Sequence, residues 1–211
     1  MDYEIPHENI VYFKGVITNI KEIIELIESL GSKAVSPWEV WYAHNDTHEY
    51  GSFKSLRRSL LEEESDLDIK SRSAYLIQSL TDYMAQCASK YSEIYGISPV
   101  DLEYAVFALN HEQTKFGINK YFENRHMGPH VDWNEFNSDI RFTIVVYLND
   151  DYEGGEIYFN NQDVKIKPQA GSIVMFPSKL PYLHESLNIT KGRKMLITHH
   201  WKGEKHAPNE Q

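Results

Sequence analysis

Cysteine is nearly absent from this chain of 211 residues: Cys87 is the only one. A lone thiol excludes an intrachain disulfide and any zinc site built on several thiolates, and it suits a reducing compartment. Long apolar runs are missing too, since no stretch approaches the ~18 consecutive apolar residues of a membrane helix. Met1 to Pro6 shows neither the basic nor the apolar region of a secretory signal. The expectation is a cytoplasmic protein with no membrane partner. Positive charge is also scarce, with 21 Lys and Arg against 31 Asp and Glu and a formal net charge of −10. Proteins that track nucleic acid set clustered Lys and Arg against the phosphates, so a nucleic-acid partner is not expected. No internal repeat or low-complexity tract occurs.

What is present suits one folded domain over residues 1–201, with 202–211 as a flexible polar tail. The hydrophobic share is 41% and the aromatic share 13%. Residues 1–99 read as mainly helical support. Ile20, Ile23, Ile24, Ile27 and Leu30 recur at helical spacing, with Asn19 as a cap, Glu22 three residues on and Gly31 as a stop. A second helix is predicted from about Ser71 to Tyr95, burying Ala74, Ile77, Met84, Cys87, Tyr91 and Tyr95 and ended by Gly96 and Pro99. Between them, Pro37 to Tyr50 carries Trp38, Trp41, Tyr42, His44 and His48 without a clear period, as an aromatic loop or short strands would.

From about Val100 the pattern turns to strands: Ala105 to Leu109, Lys115 to Phe122, Ile140 to Leu148, Glu156 to Phe159, Gly171 to Phe176, Tyr182 to Ser186 and Lys194 to Trp201. Turn residues separate several of them, among them Asn149-Asp150-Asp151, Gly154-Gly155 and Lys191-Gly192. Many short strands preceded by helices predict a jelly roll or β-sandwich over 100–201, with the N-terminal helices packed on one sheet. The run Ile140 to Leu148 has two unlike faces. Ile140, Phe142, Ile144, Val146 and Leu148 form an apolar face suited to the helices. Arg141, Thr143, Val145 and Tyr147 form the other, which could face solvent or line the interior, where hydroxyls could hold a polar ligand.

The chemistry centres on Gly128-Pro129-His130-Val131-Asp132 and, further along, Leu183-His184-Glu185-Ser186. Two histidines and a carboxylate can occupy one face of an octahedral iron and leave the opposite face open for co-substrate and oxygen. If His130 and Asp132 lie on a strand they point the same way, with Val131 turned away. The tripeptide alone is weak: with ten histidines in the chain, about half a His-x-Asp match is expected by chance. His44-Asn45-Asp46, with His48 nearby, has the same form and competes for the metal. A histidine beside Gly-Pro is also often just a turn residue.

An ordered set of motifs follows His130 and Asp132: Tyr147-Leu148-Asn149-Asp150, Glu153-Gly154-Gly155-Glu156, Ala170-Gly171-Ser172-Ile173-Val174-Met175-Phe176-Pro177, His184, and Gly192-Arg193-Lys194. Over about Lys115 to Trp201 this series resembles the Fe(II)/2-oxoglutarate-dependent dioxygenases, in particular the prolyl 4-hydroxylase-like branch. The resemblance implies a double-stranded β-helix, a jelly-roll variant, with His130, Asp132 and His184 as iron ligands. It implies a cation for the far carboxylate of 2-oxoglutarate: Lys194 in the register set by Gly192, with Arg193 as the alternative. Tyr147 matches a tyrosine that bonds the same carboxylate, although it could simply pack. Tyr121 matches another pocket tyrosine, although a lone aromatic is more often core. Thr143 joins them as a candidate co-substrate contact. Met127 stands where many relatives have an aromatic residue, Ser186 where they have an apolar one, and His199-His200 departs from their apolar pattern.

The implied activity is hydroxylation of a C–H bond with release of succinate and CO2, using Fe(II), 2-oxoglutarate and O2, with ascorbate as a supporting reductant. Proline in a peptide or protein is the first expected substrate. A free amino acid or small metabolite under the same chemistry is the second, and a non-catalytic jelly-roll binding module is the rival from another class.

Overall fold

Both faces of the strand Ile140–Tyr147 are buried, each by a different layer, and this sets the architecture. The computed structural model describes residues 1–30, 39–42, 49–57, 65–97, 115–134 and 140–202. In chain order the elements are β1 (Asp2–His7), β2 (Ile10–Lys14), α1 (Ile20–Leu30), β3 (Glu39–Tyr42), β4 (Glu49–Arg57), α2 (Leu67–Tyr95), β5 (Lys115–Tyr121), β6 (Met127–His130) and β7 (Ile140–Tyr147). They continue with β8 (Glu153–Gly154), β9 (Ile157–Phe159), β10 (Val164–Ile166), β11 (Ser172–Pro177), β12 (His184–Ser186), β13 (Ile189–Lys191) and β14 (Lys194–Lys202).

The larger sheet runs β1-β2-β11-β7-β14-β5-β4-β3 and the smaller β10-β9-β12-β6, while β13 and β8 form a short separate ladder. Strand alternation gives β7 its two roles. Ile144 and Val146 join Ile23, Ile27 and Leu30 of α1 and Leu76, Leu80, Met84 and Tyr91 of α2 in one core. Val145 and Tyr147 point the other way, into a second core with Phe159 of β9, Val174 and Phe176 of β11 and Leu196 of β14. Helices therefore cover one face of the large sheet and the small sheet closes the other, as expected for a jelly roll.

The helices form where the apolar stripe lies, with one shifted boundary. Asn19 does sit at the start of α1, where its amide donates to Glu22 at 3.0 Å. In α2 the start is Leu67 rather than Ser71, because the Asp66 carboxylate accepts from the Asp68 and Ile69 N–H groups at 3.0 and 3.2 Å. Ala74, expected inside, is exposed; Ser73, Leu76 and Ile77 carry the stripe. Gly96, in the left-handed region at φ 63°, ends the helix and donates to Ser92 O.

The N-terminal part supplies strands as well as helices. Ile10, Val11, Tyr12 and Phe13 are buried on both faces of β2, which pairs with β11 through Phe13↔Ile173 and Val11↔Met175. An apolar run this short has no helical or alternating period to identify it. At the other side β4 pairs with β5, and β3 with β4. The expected strand Ala105 to Leu109 lies outside the described residues, as do His44, Asp46 and His48.

Candidate metal centre and the cation beside it

His184 opens β12 and pairs directly with His130, the last residue of β6. Cross-strand pairing therefore brings the two rings to a centroid distance of 4.4 Å. Asp132 is not on the strand, contrary to the sequence expectation. The chain bends after His130, and that bend turns the carboxylate back between the two rings. Its Oδ1 lies 3.6 Å from His130 Nε2 and its Oδ2 3.6 Å from His184 Nε2. One ligand atom from each residue falls within a common span of 4.8 Å.

Each ring is oriented by its other nitrogen. His130 Nδ1 lies 2.8 Å from Gly128 O and His184 Nδ1 lies 3.1 Å from Tyr182 O. A carbonyl only accepts, so both Nδ1 atoms carry the hydrogen and both Nε2 lone pairs face the carboxylate. Burial pushes His184 down to about 4, against the pull of Asp132, so it is neutral at physiological pH. Phe176 and Phe159 wall it at ring distances of 4.6 and 6.0 Å. Burial opposes ionisation of Asp132, yet its carboxyl is held below the usual range by His184, His200 and His130 and by the Thr143 hydroxyl. Thr143 donates to Oδ2 at 2.5 Å and is itself 2.8 Å from the Ser178 hydroxyl. Two imidazole lone pairs and one oriented carboxylate form a donor set suited to a divalent iron with open positions.

Thr143, expected among the co-substrate contacts, thus touches the carboxylate of the triad. Lys194 lies deeper between the sheets, on the inner face of β14 opposite Tyr121 of β5. It is 1% exposed, and its ammonium lies 4.9 Å from the centroid of the Tyr121 ring. Nζ donates to Gly155 O at 2.8 Å and to the Ser186 hydroxyl. Burial, then the charge of Lys167, push Lys194 down to about 7, with Glu156 opposing. Arg193, one residue earlier, faces the other way and pairs with Glu28 at 3.1 Å on the surface. Arg193 precedes β14 and Lys194 is its first residue, so the turn leaves one side chain on the surface and the strand carries the other inward.

Tyr147 and Tyr121 are 1% and 4% exposed and share the inner core with Tyr12 and Tyr152. Burial, and then its tyrosine neighbours, hold the Tyr147 hydroxyl well above its ordinary range, so it stays protonated and able to donate. Gly154 and Gly155, both at positive φ, let the chain pass close beneath. A Cβ on Gly155 would stand 2.2 Å from Ile189 Cδ1.

Several residues near the site carried little or no sequence signal. Ser178 follows β11 as an ordinary turn serine. Lys167 donates to the carbonyls of Tyr152 and Gly154 at 3.0 and 2.6 Å, yet in sequence it is one surface-type lysine. His200, noted as a departure from the apolar pattern, lies opposite Thr143.

Residues 116–202 match the sequence profile of the 2OG-Fe(II) oxygenase superfamily. A PKHD-type hydroxylase of Prochlorococcus marinus strain MIT 9515 is 36% identical over 85 residues, which cover 37% of this chain and 37% of that protein. The chain therefore matches well under two thirds of that relative. A second, from strain MIT 9301, is 24% identical over 192 residues, 88% of this chain and 75% of the relative. Two solved structures share the fold. The viral collagen prolyl hydroxylase of Paramecium Bursaria Chlorella virus-1, in its 2OG complex, has TM-score 0.57 and 15% identity over 94% of this chain and 97% of that one. The prolyl hydroxylase of Trichoplax adhaerens, in complex with a hypoxia inducible factor peptide, has TM-score 0.61 and 13% identity over 92% and 84%. Residues 116–202, the β core, are thus similar in sequence to the 2OG-Fe(II) oxygenase superfamily, and the solved prolyl hydroxylases share the fold over nearly the whole chain.

Proposed function

We propose that this protein is an Fe(II)- and 2-oxoglutarate-dependent dioxygenase that hydroxylates a prolyl residue of a peptide or protein. The observation that carries the reading is one interior holding both parts: a two-histidine, one-carboxylate triad at its mouth and a buried lysine that, among the described residues, hydrogen-bonds to Gly155 O and the Ser186 hydroxyl. The iron, when bound, supplies activation of O2 coupled to decarboxylation of 2-oxoglutarate to succinate and CO2, with one oxygen atom entering the substrate C–H bond.

The chain's own residues bind and orient. His130 and His184 offer neutral Nε2 lone pairs, fixed by the carbonyls of Gly128 and Tyr182. Asp132 offers an anionic oxygen, held by Thr143 and through it by Ser178. Lys194 takes the far carboxylate of 2-oxoglutarate as a point charge, and the Tyr147 hydroxyl donates to the same group. Phe159 and Phe176 keep water from the His184 side. Among the proteins of similar fold, the peptide-bound prolyl hydroxylase and the viral collagen prolyl hydroxylase support a prolyl substrate. Ascorbate as supporting reductant and a cytoplasmic location belong to the same proposal.

The test is incubation of the purified chain with Fe(II), 2-oxoglutarate, ascorbate and a library of proline-containing peptides. Succinate release with a 16 Da gain on proline is the expected result. Succinate release with the gain on another residue or on a small molecule would replace the substrate. No succinate above background under any condition would remove the enzyme reading and leave a binding module.

A further inference from the structure

We infer that Asn9, in the turn between β1 and β2, is a positioning residue for the distal metal ligand His184, so that the N-terminal hairpin forms part of the support of the metal centre. The inference rests on the reading of His130, Asp132 and His184 as that centre. It concerns a residue far outside the matched segment 116–202.

The backbone of Asn9 is tied to the end of α2 on both sides. Its N–H donates to the Tyr95 hydroxyl at 3.0 Å, and its carbonyl accepts from the Tyr91 hydroxyl at 2.8 Å. The two tyrosine rings pack on each other at 4.8 Å. The side chain then reaches the opposite way, and Nδ2 donates to the Tyr182 hydroxyl at 2.8 Å. That hydroxyl has a second partner in the same turn, Glu8 O at 3.3 Å. Tyr182 is the residue whose main-chain carbonyl takes the Nδ1 hydrogen of His184. A tyrosine has only two side-chain torsions, so pinning its hydroxyl restricts where its backbone, and hence that carbonyl, can sit.

Other bonds to this turn do a different job. Tyr182 N–H donates to Lys179 O, and Leu183 N–H to Pro181 O, which shape the turn locally. Asn161 and Gln162 donate to Pro181 O from the small sheet's own β9–β10 turn. Asn9, with the Glu8 carbonyl beside it, links the turn to the layer formed by α2 and the large sheet. The choice of residue fits this role. Asn9 sits at φ 62°, where glycine is the default occupant; asparagine tolerates that conformation and brings an amide that glycine lacks.

The experiment is Co(II) titration of the full chain, with d–d absorption as readout, at a temperature where circular dichroism shows every variant folded. Asn9→Gly keeps the backbone conformation and both backbone bonds and removes only the amide. Direct partners of a metal-binding histidine are worth about 10–100-fold in affinity. Asn9 acts one bond further out, so Asn9→Gly and Tyr182→Phe are each expected to raise the Co(II) Kd about 3–10-fold, with altered band intensity. The double variant should be no worse than either single. Unchanged Kd and bands in both singles, with or without a lower Tm, would overturn the inference, as would additive losses. A wild-type chain without d–d bands, or one whose bands survive His184→Ala, would instead remove the metal-centre reading and this inference with it.

Discussion

With Lys194 in its proposed role as anchor, 2-oxoglutarate affinity becomes a function of pH in a range where an ordinary lysine would not make it so. The free protein holds this ammonium at about 7, because it is buried and Lys167 stands near it. Glu156 acts in the opposite direction, and Lys167 is occupied by the carbonyls of Tyr152 and Gly154. A dicarboxylate binds the protonated form, and its own charge raises the lysine pKa in the complex. Affinity is therefore full below pH 7 and lost as pH rises through the free-state value. At pH 8 only about one molecule in eleven carries the charge, so the apparent Kd should be about tenfold weaker than at pH 6. Binding near pH 8 should also take up close to one proton, visible as different heats in buffers of different ionisation enthalpy. Anaerobic calorimetry on Mn(II)-loaded protein measures both. Lys194→Arg keeps a permanent charge and should flatten the profile, while Lys194→Met should abolish measurable binding. A wild-type Kd that stays flat from pH 6 to 8.5 with no proton uptake would refute the reasoning.

Three further outcomes follow from the same geometry. Thr143→Val removes the hydroxyl that donates to Asp132, and Co(II) affinity should fall about tenfold with the fold intact by circular dichroism. Gly155→Ala forces a Cβ into the 2.2 Å gap to Ile189 at a positive φ; a loss of about 1–3 kcal/mol in urea unfolding is expected, together with weaker 2-oxoglutarate binding. Arg193→Ala breaks only a surface pair with Glu28. Stability should change by less than about 1 kcal/mol, with 2-oxoglutarate Kd unchanged, and a large rise in Kd would move the anchor from Lys194 to Arg193.

Ligand type and strand pattern carried most of what the sequence revealed. His130, Asp132 and His184 are chemically distinctive in short motifs, and the β7 alternation set a helix-facing side apart from a more polar one, open in sequence to either solvent or the interior. The bend that takes Asp132 off the strand was hidden, because His-x-Asp has one spelling for an extended segment and for a turn. The strand β2 was hidden for a different reason: Ile10 to Phe13 is apolar at every position and lacks a period. The start of α2 depended on Asp66, a cap that competes in sequence with Ser71. Thr143 could be put on the correct face of its strand, but its partner Asp132 is brought to it only by the tertiary fold.

Charge accounting explains why a lysine held near neutrality suits this interior. With a divalent ion bound, two neutral imidazoles and the Asp132 carboxylate leave one net positive charge at the mouth. A 2-oxoglutarate dianion would turn that sum to one net negative charge in a region walled by Phe159, Phe176, Val145 and Leu196. An uncompensated charge there is costly, and protonation of Lys194 brings the total to zero. Before binding, the opposite pressure applies. A permanently charged group at 1% exposure, bonded to Gly155 O and Ser186 Oγ and facing the Tyr121 ring, would itself have no hydrogen-bonded counter-charge among the described residues. A neutral amine fits those two acceptors with its two hydrogens. The same residue is thus tolerable in the empty pocket as an amine and in the filled one as an ammonium, which arginine cannot match because it does not deprotonate. On this argument Lys194→Arg should gain affinity at high pH and lose stability when the pocket is empty, and the two effects should appear together.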